Sequence, residues 1–108
     1  MSKKISKKQK TGLEAESAAG ERYIFRLFVT GILPNSARAV VNMKAICEQY
    51  LKDRYELEII DIYQQPALAL TEQIIAVPVL IKKFRLPEER LIGDLSNTEK
   101  VLKELHLI

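Results

Sequence analysis

Few residues of this chain are of the types that catalyse reactions or bind metal ions. Cys47 is the single cysteine and His106 the single histidine, which excludes an intramolecular disulfide and any Cys-x-x-Cys metal or redox motif. Cys47 falls on the apolar side of a predicted helix, where a buried and unreactive thiol is expected. Asp61 and Asp94 each follow an apolar segment, and we expect turn or cap residues there. The sequence therefore predicts no catalytic residues, no metal site and no cofactor.

The composition indicates one small globular domain that follows a basic leading segment. The chain has 108 residues, of which 47% are hydrophobic and 29% charged, and its formal net charge is +3. This length suffices for one hydrophobic core, which we assign to residues 21–108. The first twelve residues hold five lysines and no acidic residue. Residues 1–20 lack arginine and aromatic side chains, so we predict a disordered, solvated tail, with weak nucleic-acid or anionic-surface contact as the alternative.

The sequence contains no segment that would direct the chain into or across a membrane. No apolar stretch follows the lysines, as it would in a secretory signal. No run approaches the roughly 20 apolar residues that cross a bilayer. We therefore expect a cytoplasmic protein without membrane contact, for which nucleic acid is an improbable partner.

The first half of the domain has the pattern of a strand, a helix and a second strand. Residues 23–29 are nearly all apolar, as in a strand covered on both faces. The turn at residues 31–35 leads into a helix predicted over 36–54, and a second strand follows at 56–62. The helix and this strand should bury the following apolar positions: Val40, Met43, Ile46, Cys47, Tyr50 and Leu51 on the helix, and Leu57, Ile59, Ile60 and Ile62 on the strand. This order implies a parallel crossover.

The second half predicts a short helix, two strands and a last helix. The short helix is expected over 66–75, the strands at 77–84 and 90–92, and residues 96–99 form a capping-box pattern before the last helix. Residues 74–77 could equally extend as strand. The resulting βαβ–α–ββα order is that of a thioredoxin-like α/β fold. Redox-active members carry a cysteine in the first turn, but residues 31–36 contain none, so partner binding is favoured over electron transfer.

Several segments resemble one family closely. They are residues 28–39 (FVTGILPNSARA), 60–62 (IDI), 65–66 (QP), 76–80 (AVPVL) and 92–102 (IGDLSNTEKVL). At these spacings the chain resembles the KaiB family, small adaptors of the bacterial circadian clock. The resemblance runs from about Tyr23 to Leu105.

The resemblance implies a non-enzymatic adaptor that binds a KaiC-type hexameric ATPase and regulates its phosphorylation or ATPase state. The output would be circadian-type timing or stress adaptation. A KaiA-like protein or a histidine kinase would be a further partner. Family members also populate two folds: the thioredoxin-like form and a ground state in which the second half is rearranged to βααβ. The ground state would be a homo-oligomer, either a dimer or a tetramer.

The resemblance also assigns roles to particular residues. The implied partner-binding residues are Tyr23, Arg38, Glu58, Asp61, Gln65, Pro66, Ala67 and Lys82. The implied fold-switch residues are Gln73, Pro78, Gly93 and Asp94, and Pro78 occupies the place of the cis-proline of thioredoxin-like folds.

Two other functions stay open at this point. A thioredoxin-fold enzyme that handles glutathione could lack the cysteine and use Ser36 instead. A sensory module similar to the KaiB-like domain of a clock histidine kinase would normally be fused to a kinase, and the chain ends at Ile108, so a standalone protein is favoured.

Overall fold

A computed structural model describes residues 22–31 and 33–107, and the predicted tail at 1–20 lies outside them. Seven elements follow one another along the chain: β1 (Tyr23–Val29), α1 (Pro34–Tyr50), β2 (Tyr55–Asp61), α2 (Pro66–Thr71), β3 (Val79–Phe84), β4 (Glu89–Ile92) and α3 (Thr98–Glu104). This βαβ–α–ββα order confirms the prediction from sequence.

The four strands form one mixed sheet in the order β2-β1-β3-β4. β1 and β2 are parallel, in register from Tyr23 with Tyr55 to Val29 with Asp61. β3 is antiparallel to both β1 and β4. β1, β2 and β4 therefore run the same way and finish at one end of the sheet, which we call the carboxyl end. The opposite end, where β1 and β2 begin, is the amino end.

The two faces of the sheet carry hydrophobic clusters of unequal size, because alternate residues of a strand point to opposite faces. The larger cluster packs β1 residues such as Phe25 and Leu27 against Met43 of α1 and Leu102 of α3. The smaller cluster on the other face consists of four buried residues, Phe28, Ile60, Val79 and Ile81, with Leu68 of α2 packed against it. The first face is thus a full core, and the second is a thinner layer.

The helix and strand of the first half differ from prediction at their ends. α1 begins at Pro34, whose fixed φ suits the first helical position, and ends at Tyr50 instead of residue 54. Its buried face includes Ser36 and Ala39, whereas Tyr50 is 37% exposed. The predicted burial of Ile59 is also wrong, since its side chain lies at an edge strand and is 37% exposed.

The second half departs more from the predicted bounds. α2 ends at Thr71, where Ile74 N–H bonds Ala69 O (3.0 Å) and Gln73 adopts a left-handed φ of 57°. This is a Schellman-type helix end. Residues 74–77 are neither helix nor strand, and β3 begins only after the Val77–Pro78 peptide bond, which is cis.

The last helix is capped differently from the predicted capping box. Asn97 is the N-cap, and its Oδ1 accepts a hydrogen bond from Lys100 N–H at 3.0 Å. The capping residue is therefore one position later than Ser96. In a capping box the third helical residue bonds back to the N-cap, and with Asn97 as N-cap that residue is Lys100, so Glu99 lies in the first turn but does not complete the box.

Candidate partner-binding surface

Asp61 organises the carboxyl end of the sheet through its carboxylate. It is the last residue of β2, and its Oδ2 accepts a hydrogen bond from Gly31 N–H at 3.2 Å. Its Oδ1 accepts from Tyr63 N–H at 2.8 Å. The two bonds tie the turn after β1 to the turn after β2, which confirms the prediction of a turn residue.

Arg38 and Asp94 join α1 to the segment after β4. Arg38 Nε donates to Asp94 Oδ2 at 3.1 Å, and another guanidinium nitrogen of Arg38 donates to Asn35 Oδ1. Asp94 Oδ1 accepts from Ser96 N–H at 3.0 Å. Hydrogen bonds from Ser96, and then from Arg38, hold the pKa of Asp94 below its usual range. Asp94 is therefore a turn carboxylate as predicted, and it also orients the exposed guanidinium of Arg38.

Sequence reasoning missed two asparagines that help to fix this arrangement. Asn35 holds the Arg38 guanidinium, and Asn42 Nδ2 donates to Asp94 O at 2.8 Å. A signal was present, because positions 35, 38 and 42 are spaced three and four apart and so share one helical face. Their polar partner after β4 could not be read from that spacing.

The exposed start of α2 completes this end of the molecule. Gln65 N–H bonds Asp61 O at 3.0 Å, which places the helix directly after the turn held by Asp61. Gln65, Pro66 and Ala67 are all exposed. We call the set Arg38, Asp61, Gln65, Pro66, Ala67 and Asp94 the carboxyl-end surface. It unites five of the eight residues predicted to bind a partner.

Tyr23 and Glu58 lie apart from the carboxyl-end surface. Tyr23 begins β1 at the amino end, about 20 Å from the carboxyl end at roughly 3.3 Å per strand residue. Glu58 lies midway along β2, where its carboxylate is 3.4 Å from Arg26 Nε. One compact partner contact at the carboxyl end would therefore not include Tyr23.

Lys82, which the resemblance assigns to partner binding, is buried in this fold. Its side chain is 3% exposed, because position 82 points to the face of the sheet that α3 covers. Its ammonium donates to Leu105 O at 2.8 Å and lies 3.9 Å from Glu89 Oε1. Lys82 thus satisfies a carbonyl at the end of α3.

Cys47 and Ser36, the two side chains considered as nucleophiles in the sequence analysis, are both buried. Cys47 is fully buried, and burial, followed by the nearby charge of Glu48, raises the pKa of its thiol to about 12. Ser36 is 2% exposed, and its Oγ accepts a hydrogen bond from Thr30 N–H at 3.1 Å. The buried Ser36 hydroxyl therefore stabilises the turn after β1 through this hydrogen bond, which argues against a serine-based glutathione site.

The structure reveals an ion-pair cluster on the thinner face of the sheet that sequence reasoning did not identify. Glu72 lies just after α2, and its side chain is only 12% exposed. Its carboxylate receives Arg26 Nη1 at 3.0 Å, Lys83 Nζ at 3.1 Å and Arg90 Nη2 at 3.5 Å. These contacts attach the end of α2 to β1, β3 and β4.

The described residues contain no helix that is long and apolar enough to cross a membrane. Over the same ranges there is also no group of three histidine, cysteine or acidic side chains placed to hold a metal ion.

Fold and site together define a thioredoxin-like domain that lacks a redox cysteine and instead presents polar side chains at the carboxyl end. Solved structures agree on the fold. Chloroplastic thioredoxin z matches with a TM-score of 0.69 at 15% identity, covering 97% of each chain. The N-terminal domain of Synechococcus elongatus SasA matches with a TM-score of 0.64 at 20% identity, covering 99% of this chain and 96% of that one.

Sequence comparison identifies the family. The KaiB domain model matches residues 26–107. Circadian clock protein KaiB3 of Synechocystis sp. (strain PCC 6803) is 45% identical over 87 residues, covering 81% of this chain and 85% of that protein. Circadian clock oscillator protein KaiB of Prochlorococcus marinus (strain MIT 9515) is 46% identical over 91 residues, or 84% of each. The chain belongs to the KaiB family.

Proposed function

We propose that this protein is a non-enzymatic, KaiB-type adaptor that binds a KaiC-type hexameric ATPase in a circadian-type or stress-adaptation system. Binding would regulate the phosphorylation or ATPase state of that partner. The main support is the 45% identity to a circadian clock protein over 81% of this chain. We further propose that the protein acts in the cytoplasm.

The carboxyl-end surface is the region that we assign to the ATPase contact. Redox-active thioredoxins carry their cysteine after β1, and the corresponding turn of this chain is held by Asp61 and Ser36. Arg38, with its side chain 55% exposed and oriented by Asp94, supplies a fixed guanidinium. Such groups are common anchors of protein interfaces, and the exposed residues 65–67 provide neighbouring contact area.

The absence of an activity of its own is part of the same proposal. A thiol with a pKa of about 12 is not a nucleophile near neutral pH. Ser36 is buried and its oxygen accepts a backbone hydrogen bond. A glutathione conjugation assay with a generic electrophile should therefore give only the uncatalysed rate.

We also propose the rearranged ground state and its homo-oligomer for this chain. The resemblance assigns Gln73, Pro78, Gly93 and Asp94 to the change. Gln73 and Gly93 both have positive φ angles here, of 57° and 126°. They flank β3 and β4, the part of the chain that would be rearranged. A backbone at such angles marks a change of chain direction, which supports their assignment to the change of fold.

The proposal is tested by size-exclusion chromatography with light scattering, before and after hours of incubation with a KaiC-type ATPase and nucleotide. We expect a complex to appear slowly while a free oligomer peak is lost. Ala67→Arg should reduce the amount of complex, because it adds a bulky charge at an exposed position of the carboxyl-end surface. Ala45→Arg is the matched control, since Ala45 is exposed on α1 outside that surface.

Two results would contradict the proposal. Absence of any complex at high micromolar concentration would mean that the chain does not bind this class of ATPase. Equal loss of complex in the Ala67→Arg and Ala45→Arg variants would mean that the carboxyl-end surface is not the contact. Circular dichroism of both variants establishes that each remains folded.

A further inference from the structure

The amino end of the sheet carries a cationic cluster around Tyr23, about 20 Å from the carboxyl-end surface at roughly 3.3 Å per strand residue. We propose that this cluster is a second contact surface, which binds an acidic segment of a partner protein that also contains apolar residues. We define the amino-end surface as Arg22, Tyr23, Tyr50, Arg54, Phe84, Arg85 and Leu86. The proposal does not depend on the ATPase contact.

The backbone and side-chain contacts bring three arginines to the same place. Tyr23 N–H bonds Arg54 O at 2.8 Å, which sets residue 54 beside the start of β1. Arg22 Nη1 donates to Tyr55 O at 3.4 Å. The guanidinium carbon of Arg85 lies 5.6 Å from the centroid of the Tyr23 ring. The ring contact holds the Arg85 guanidinium as a cation–π pair.

The tyrosine under this guanidinium is itself fixed. Its ring stacks on Phe25 with centroids 6.1 Å apart and planes 5° from parallel. Phe25 is fully buried in the larger core cluster. The surface thus rests on core residues, so a partner would not need to order it first, which lowers the entropic cost of binding.

The charges at this end leave guanidinium donors for a partner. Arg22 and Arg54 each donate to a backbone carbonyl, and within 22–31 and 33–107 neither has a carboxylate at ion-pair distance. Glu48 is engaged by the Tyr55 hydroxyl at 2.6 Å and by Lys52 at 3.8 Å. In the sequence, Arg22 follows Glu21 and Arg54 follows Asp53. Each guanidinium has five N–H donors, so Arg22 and Arg54 keep donors that can bind the carboxylates of a partner.

The apolar residues of the surface favour a protein segment over nucleic acid. Leu86 is 72% exposed, and Phe84 and Tyr50 are each 37% exposed. The centres of protein–protein interfaces are enriched in arginine and tyrosine beside apolar side chains, as this surface is. The guanidinium groups can bind carboxylates of a partner in a bidentate geometry. An exposed aliphatic side chain would contribute nothing to a contact with phosphates.

The test uses the full chain and a fluorescein-labelled synthetic peptide in which glutamate pairs alternate with single leucines. Fluorescence anisotropy should show binding that weakens as salt is raised. Arg22→Gln combined with Arg54→Gln should weaken it about tenfold, the effect of losing charge-assisted hydrogen bonds. Leu86→Ser should also weaken it. Lys44→Gln combined with Lys103→Gln removes two exposed cations elsewhere and should leave binding unchanged.

The outcomes separate the two surfaces and the classes of ligand. Ala67→Arg should not alter peptide binding, because it changes only the carboxyl-end surface. The proposal is overturned if the peptide does not bind, or if the two glutamine pairs weaken it equally. Tighter binding of a single-stranded oligonucleotide or of vesicles containing anionic lipid than of the peptide would equally overturn it.

Discussion

Replacing Glu72 by glutamine should test how the second half of the chain is attached to the sheet. Three cations approach the carboxylate, with Arg26 at 3.0 Å, Lys83 at 3.1 Å and Arg90 at 3.5 Å. The side chain of Glu72 is 12% exposed, so its charge is screened less than that of a surface group. Glutamine has almost the same size, which means that the substitution removes charge and leaves packing nearly intact.

The expected loss follows from these contacts. A partly exposed ion pair contributes about 0.2–1 kcal/mol, so three of them contribute roughly 0.6–3 kcal/mol together. The glutamine amide also adds donors among three cations, so the effect should lie at the upper end of that sum. Urea unfolding followed by circular dichroism measures the free energy of unfolding, and the difference between wild type and Glu72→Gln should shrink in high salt.

Glu99→Gln is the matched control for this measurement. Glu99 pairs with Lys103 at 3.4 Å on α3, but its side chain is 75% exposed, so its loss should hardly change the free energy of unfolding. If Glu72→Gln is no more destabilising than Glu99→Gln, or if its effect does not depend on salt, the cluster does not hold the two halves together. The end of α2 would then be kept in place by the four-residue cluster on that face.

Three further predictions follow from the same structure. The pKa of Asp94 is lowered in the folded protein, so its ionised form stabilises the fold fully above the usual carboxyl pKa, and this contribution is lost as the pH falls through the lowered pKa. The difference in free energy of unfolding between wild type and Asp94→Asn, measured by urea titration, should therefore shrink below about pH 4. A difference that persists at lower pH would contradict this account. Cys47, whose pKa is about 12, should react with a thiol reagent at pH 8 only at the rate of unfolding, and immediate labelling of the native protein would refute its burial. Gln73→Gly should raise the free energy of unfolding by about 0.5–1 kcal/mol, because glycine adopts the left-handed φ of 57° without the penalty of a side chain; an unchanged or lower value in urea unfolding would show that the glutamine side chain contributes more than this strain costs.

The sequence predicts the order of elements because the periodicities of its apolar residues are distinct. Residues 23–29 form an almost unbroken apolar run, and Met43 and Cys47 recur at helical spacing on the buried face of α1. Such patterns decide which element forms. They decide its ends less well, because α1 begins at Pro34 and stops at Tyr50 through backbone geometry that the apolar pattern does not encode.

The candidate site is only partly readable from sequence, because its contacts join residues far apart in the chain. The turn roles of Asp61 and Asp94 follow from their positions after apolar segments. The pairing of Arg38 with Asp94 across 56 positions does not. Lys82 shows the same limit. The resemblance assigns it to a partner contact, but in this fold its buried ammonium donates to Leu105 O at 2.8 Å, and only the three-dimensional structure supplies that carbonyl.

The position of β1 between a parallel and an antiparallel neighbour has a consequence during synthesis. Its partner on one side, β2, follows after a single helix, whereas its partner on the other side, β3, begins at Val79. A chain that leaves the ribosome can therefore complete the βαβ unit while the second edge of β1 still has no strand beside it. An open edge of that kind can pair with another chain. The nascent protein should thus be most prone to aggregation, and most dependent on chaperones, after Asp61 has emerged and before Phe84 follows.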